Sequence, residues 1–229
     1  MTEPMEDYEI AMRAMNAKMI NEWKNWLLVY KFALDEVNTK LEILNEEFQF
    51  IHNYNPIEHM KSRLKSPESI ISKLHRKGLE VSLENARDHI HDIAGIRIIC
   101  SFTTDIYKII DLLSRQSDVQ VLKVKDYIKE PKPNGYRSAH LLILIPVFLT
   151  DRVEQVPVEI QIRTVAMDFW ASLEHKIYYK FDSEVPRSIT DQLKNSAELI
   201  DLLDKRMLAI NEEVSEYKKD EPEPSPFRF

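Results

Sequence analysis

The most regular stretch of the chain is Val153–Thr164, where Val158, Ile160 and Ile162 alternate with Glu159, Gln161 and Arg163. A period of two predicts a strand with one apolar face and one face carrying a carboxylate, an amide and a guanidinium. Shorter apolar runs predict further strands over 141–149, 119–128 and 92–102, the last rich in isoleucine and with Asp92 at its entrance.

Elsewhere the period is helical. Met12, Met15, Met19, Trp23, Trp26 and Tyr30 recur at three- and four-residue steps within a helix over 10–50. Such a stripe reads as core or helix interface rather than a cofactor box. Asn53-Tyr54-Asn55-Pro56 breaks the pattern. A second helix is announced by Ser66 as N-cap, Pro67 at the first helical position and Glu68 at the positive end, with Gly78 as its stop. Helices also follow over 83–91, 107–114 and 166–179. From 189 to 217, Leu193, Ala197, Ile200, Leu203, Met207, Ile210 and Val214 mark a long amphipathic helix. The order predicts an N-terminal helical arm (1–54), a mixed core (55–185), a C-terminal helix suited to oligomerisation (186–217) and a polar, Pro-rich tail expected to be disordered (218–229). The class is α+β.

Directly before the 141–149 strand lies Glu130-Pro131-Lys132-Pro133-Asn134-Gly135-Tyr136-Arg137-Ser138-Ala139-His140. Pro133 and Asn134-Gly135 are turn formers. Cation, aromatic ring and imidazole around one turn suit an anion with a flat ring, such as a nucleotide; the plain alternative is a solvated loop.

Composition narrows the choice. Hydrophobic residues make up 44% and charged residues 30% of the 229, a globular balance, and no apolar run reaches the ~20 residues of a membrane span. A single cysteine, Cys100, rules out an intrachain disulfide or a cysteine zinc cluster. With no apolar leader pattern near Met1, the expectation is a cytoplasmic protein. The formal charge is −7, yet cations cluster: Lys61, Arg63, Lys65, Lys73, Arg76 and Lys77 in one segment, Lys123, Lys125, Lys129, Lys132 and Arg137 in another. Local basic pockets in an acidic chain suit a small polyanion better than a long one. Three glycines, Gly78, Gly95 and Gly135, cannot build a P-loop or a dinucleotide turn. Lys and Arg side chains are then left to hold any phosphates.

Two carboxylates, Asp92 and Glu159, fall at strand positions among these cations. Such a pair can hold Mg²⁺ and leave its other positions to water and phosphates; taken singly, Asp92 reads sooner as a structural hydrogen bonder and Glu159 as a solvent-facing residue, and it is the basic clusters around the pair that favour the metal. His89 and His91 beside Asp92 lack the further ligands of a metal phosphohydrolase and read as surface residues.

Five ordered segments carry a resemblance: Ser62-Arg63-Leu64-Lys65, Asp92-Ile93-Ala94-Gly95-Ile96-Arg97, Lys132 to His140, Val158-Glu159-Ile160-Gln161-Ile162-Arg163-Thr164 and Phe169-Trp170-Ala171-Ser172-Leu173-Glu174-His175. Together they resemble the synthetase domain of the RelA/SpoT family, and the absence of hydrolase, TGS and ACT regions makes the chain similar to stand-alone small alarmone synthetases. His59 and Asp168, where one branch with a product-binding regulatory cleft has an aromatic residue and an asparagine, point to the RelP-like branch, because an acid repels a phosphate-rich effector.

The resemblance implies a nucleotidyltransferase-like mixed sheet and transfer of pyrophosphate from ATP to the 3′-OH of GTP or GDP, giving pppGpp or ppGpp and AMP. Asp92 and Glu159 would hold Mg²⁺, with Glu159 accepting the hydroxyl proton. Arg63 and Arg97 would sandwich adenine, a π-face on which guanidinium stacks well. Lys65, Lys73, Arg76 and Lys125 would grip the ATP phosphates. On the acceptor side Tyr136 would stack on guanine and Lys132 bind the 5′-phosphates, with Asn134 shaping the turn and His140 and Gln161 as further contacts. Arg137 receives no role. A homotetramer is implied, and RNA is not required. The competing readings are a catalytically silent nucleotide- or RNA-binding regulator on the same fold, and an oligomerisation module with an incidental core.

Overall fold

The computed structural model describes residues 3–52, 54–178 and 185–219, with side chains over 19–52, 54–177 and 185–217. Met12 and Met15 of the stripe and the 218–229 tail therefore lie outside the described side chains.

Among the described residues, five strands form one sheet in the order β1-β2-β5-β4-β3 and six helices accompany it. The strands are β1 (Ile57–Leu64), β2 (Ala94–Cys100), β3 (Gln120–Asp126), β4 (Ala139–Phe148) and β5 (Val153–Thr164). The helices are α1 (Glu3–Phe50), α2 (Pro67–Arg76), α3 (Leu83–His89), α4 (Thr103–Ser114), α5 (Val165–Tyr178) and α6 (Arg187–Lys219). Only β2 and β5 pair in parallel; the other neighbours are antiparallel. The sheet is mixed and the class α+β, as the pattern predicts.

Local chemistry sets the boundaries. Between Pro4 and Pro56 the sequence has neither Pro nor Gly, so α1 runs unbroken for 48 residues. Ser66 accepts from the amide of Ser69 at the start of α2, and Gly78 ends it at φ +69°. Alternation in β5 is realised: Val158, Ile160 and Ile162 are fully buried. They join Leu141, Ile143 and Ile145 of β4 and Ile96 and Ile98 of β2 on one face. Trp26, Tyr30, Ala33, Leu34, Val37 and Leu41 of α1 complete that core, with Ile106, Ile109 and Leu113 of α4. Each fully buried aliphatic side chain contributes about 1.5–3 kcal/mol. Trp26 and Tyr30 are thus core residues, whereas Met19 at the outer end of the stripe is exposed.

Two elements differ from expectation. Residues 57–64 form a strand that the sequence does not announce, because only Ile57 in it is buried and no alternation results. Asp92 stands just before β2 rather than within it.

Candidate active site

The polar face of the sheet, opposite α1, is a grid fixed by register. One rung reads Arg63, Gly95, Glu159 and Leu142 across β1, β2, β5 and β4. The next reads Lys61, Arg97, Gln161, His140 and Lys125, reaching β3. Paired positions share a face, so cations from β1 and β2 converge on the carboxylate of β5. Above this grid, walled by α5, is a cavity of about 530 Å³ lined by Arg63, Asp92, Arg97, Tyr136, Glu159 and Gln161 among others.

Asp92 is gripped from two sides: Lys65 Nζ lies 2.8 Å from its Oδ2 and Lys73 Nζ 2.7 Å from its Oδ1. Burial pushes the carboxyl up, but hydrogen bonds and charge from the two lysines outweigh it, holding Asp92 below its ordinary value. Glu159 shows the same balance. Burial raises it, while His140 and Gln161 lower it and prevail over the added repulsion from Asp92. His140 Nδ1 is 3.4 Å from Glu159 Oε1, and Gln161 Nε2 donates to Oε2 at 3.0 Å. Both carboxylates are therefore ionised at neutral pH and open to one cavity.

Gly95 pairs with Arg63 across the strands and shares a face with Arg97 two residues on. A Cβ placed there would meet nothing nearer than the Arg63 carbonyl oxygen at 3.9 Å, which leaves an open slot over Gly95 beside the two arginines. Arg97 Nη1 is 3.4 Å from Asp168, and its Nε is buried without a hydrogen-bond partner. An unpaired buried donor on a cavity wall is a place for a ligand acceptor.

The acceptor turn is closed by the Gly135 amide donating to the Lys132 carbonyl at 2.8 Å and the Lys132 amide to the Tyr136 carbonyl at 3.2 Å. Asn134 shapes it, accepting from the Tyr136 amide and donating to Glu174 of α5 at 3.0 Å. Tyr136 accepts from Arg163 Nη2 at 2.6 Å and shares a hydrogen bond with His140 Nε2 at 2.8 Å. Lys132 Nζ rests 4.5 Å from the Tyr136 ring centroid and 4.8 Å from that of Tyr127.

Arg63, Asp92, Arg97, Tyr136, Glu159 and Gln161 thus line one cavity, and Lys65 and Lys73 meet it through Asp92, His140 through Glu159 and Asn134 through Glu174. Arg76 is exposed at the end of α2. Lys125 stands on β3, four strand spacings or about 19 Å from β1, beside His140 and away from Arg63 and Arg97. His89 and His91 are exposed. Sequence reasoning left out Arg163, Asp168, Tyr127 and Glu174 as site residues. Arg163 was visible in the alternation of β5; the others meet the site only through tertiary folding. Asp168 accepts from Arg163 Nη1 at 3.0 Å as well as pairing with Arg97, so its charge is spent on the site's own cations.

A mixed sheet that collects cations and two ionised carboxylates on one face belongs to the class of proteins that hold polyanionic ligands by side chains rather than by glycine loops. Residues 62–184 match the model of the region found in RelA/SpoT proteins, and the chain belongs to that family. It is 59% identical over 196 residues to GTP pyrophosphokinase YwaC of Bacillus subtilis (strain 168), covering 86% of this chain and 93% of the relative. Among solved structures, small alarmone synthetase 2 from Bacillus subtilis matches with TM-score 0.76 and 58% identity, over 84% of this chain and 99% of the other. Small alarmone synthetase 1 from Bacillus subtilis, bound to its product pppGpp, matches with TM-score 0.79 and 36% identity over 85% and 99%.

Proposed function

We propose that the protein is a GTP/GDP pyrophosphokinase that makes (p)ppGpp, transferring the β,γ-pyrophosphoryl group of ATP to the 3′-OH of GTP or GDP. One observation carries the reading: two carboxylates held ionised, Asp92 and Glu159, face a single cation-lined cavity large enough for nucleotides. A silent binding protein has no need for that pair, and the relative at 59% identity is itself a GTP pyrophosphokinase.

The residues divide the work along the grid. Arg63 and Arg97 flank the Gly95 slot, which accommodates adenine between two guanidinium planes. Lys65 and Lys73, already at carboxylate distance from Asp92, neutralise the phosphates that enter beside it, with Arg76 at the rim. Tyr136 and Lys132 take the guanine ring and the 5′-phosphates, and Lys125 adds positive charge at this acceptor edge. The 3′-oxygen attacks the β-phosphorus of ATP; the bond from that phosphorus to the α–β bridging oxygen breaks, and AMP leaves with the electron pair. Glu159 takes the hydroxyl proton, and His140 and Gln161 hold the carboxylate in place while it does so.

Two ionised oxygen ligands beside a phosphate site fit Mg²⁺, which Asp92 and Glu159 would hold and which, when bound, would offset charge on the transferred group. Among the described residues no cluster of three or more His, Cys, Asp or Glu offers a dedicated metal cage, in keeping with an ion shared with the substrate. The apolar row Leu199, Leu202, Leu203, Met207 and Ile210 is exposed along α6 and supports a homo-oligomer, which we take to be a tetramer. No described helix is long and apolar enough to cross a membrane; the proposed nucleotide substrates support a cytoplasmic location.

The test is to incubate the purified protein with Mg²⁺, ATP labelled at the γ-phosphate and GDP or GTP. A labelled 3′-pyrophosphorylated guanosine nucleotide, with one AMP per product, is the expected result. Failure of the wild type to form it overturns the reading.

A further inference from the structure

Arg137 is the cation of the acceptor turn that turns away from the cavity. Its Nη1 donates to the Ile128 carbonyl at 2.8 Å, and its Nη2 lies 3.3 Å from Asp201 Oδ2 on α6. Both side chains are mostly buried, at 19% and 14% exposure. Two residues earlier, Gly135 sits at φ +90° directly against the same helix: a Cβ built on it would stand 2.6 Å from Ala197 Cβ and 3.4 Å from Lys194 Cα. Ala197 and Asp201 are four residues apart, one above the other on one face of α6. The turn therefore rests on α6 at two stacked points, a close backbone approach and an ion pair. The bonds that close the turn on itself fix its shape; its attitude toward β5 is set by Tyr136 on Arg163 and Asn134 on Glu174 from one side and by the contact with α6 from the other.

We propose that Ala197 and Asp201 are positioning residues for the acceptor nucleotide, holding the turn so that Tyr136 presents its ring to the cavity. The inference rests on the assignment of this turn to the guanosine nucleotide. A small residue is required at 197 because the helix and the Gly135 backbone already touch. An anion is required at 201 because Arg137, once unpaired, leaves a buried charge seeking another partner. Displacing a substrate-binding loop by about 1 Å is enough to cost up to about a hundredfold in rate.

The experiment compares the full-length wild type with A197V, D201N, R137Q and the D201N/R137Q double variant. KM for GDP and for ATP are measured separately, together with GDP binding by calorimetry in the absence of ATP. A197V and D201N are expected to raise KM and Kd for GDP about tenfold, a 1.4 kcal/mol effect, with KM for ATP within about twofold of wild type. The double variant is expected to be no weaker than R137Q alone, since both changes remove one contact. Should A197V fail to fold, the isosteric D201N carries the test. Equal rises in both KM values, a fall in kcat or Tm with GDP binding intact, or additive effects in the double variant each overturn the inference. A wild type that binds no GDP refutes the underlying assignment of the turn instead.

Discussion

Arg163 lies with its guanidinium 5.0 Å from the ring centroid of Tyr136 while its Nη2 donates to the phenol oxygen of the same residue at 2.6 Å. One side chain thus supports the tyrosine both at its face and at its tip. Arg163 is only 5% exposed, and it also reaches Asp168 and Gln161. R163K keeps the charge but loses the planar fork. It is expected to lower kcat/KM for the acceptor by about ten- to a hundredfold, in line with the loss of one or two charge-assisted hydrogen bonds, and to move KM for ATP far less. Steady-state kinetics with each substrate varied in turn measure both.

The slot at Gly95 makes a second prediction. A Cβ there meets no clash, and alanine suits a strand interior better than glycine. G95A is therefore expected to keep or raise Tm while weakening ATP by about tenfold, because the new methyl enters the space proposed for adenine. Thermal denaturation and binding of a non-hydrolysable ATP analogue, measured on one preparation, separate the two effects.

Acid titration probes the grip on Asp92. Its folded pKa is depressed below 3.8, so its contribution to stability is complete above that value and is lost as pH falls through the lower folded one. K73M removes one of two lysines and is expected to raise the folded pKa of Asp92. The variant should lose about 1 kcal/mol at neutral pH, and because the onset stays at the unfolded value while the folded value rises towards it, its own loss of stability on acidification should be smaller than the wild type's. Tm measured from pH 3 to 7 on both proteins checks the direction.

Asp204 on α6 behaves oppositely. It accepts from the buried Thr164 hydroxyl at 2.6 Å, but burial, helped by nearby Asp201, lifts its carboxyl above the usual value of 3.8 despite that bond. Its charge is thus a cost at neutral pH that disappears on protonation. D204N keeps an acceptor for Thr164 and removes the charge. Its Tm is expected to exceed the wild type at pH 7 and to converge with it as pH falls through the raised folded value towards 3.8.

How much of this was legible in the sequence depended on whether a pattern was local. β5 could be read from its middle, because Val158 to Arg163 alternate apolar and polar, and the Ser66 cap and Gly78 stop gave α2 almost to the residue. β1 could not, since an edge strand with one buried residue leaves no period. Lys125 illustrates a different limit. Its residue type suited phosphate, but only the strand order places it at the acceptor edge with His140 rather than near Arg63. Arg137 had no readable role because its partner, Asp201, is 64 residues away and meets it only when α6 packs on the turn.

Glu159 is proposed to take the hydroxyl proton and, with Asp92, to hold Mg²⁺, while the guanosine nucleotide is bound by other residues. The most direct measurement compares turnover and nucleotide binding in E159Q, which keeps shape and the hydrogen bond to Gln161. A fall in kcat of about 10²–10⁴-fold is expected, with the Kd for GDP, measured without Mg²⁺, within a few-fold of wild type. Turnover within tenfold of wild type, with binding intact, would contradict it.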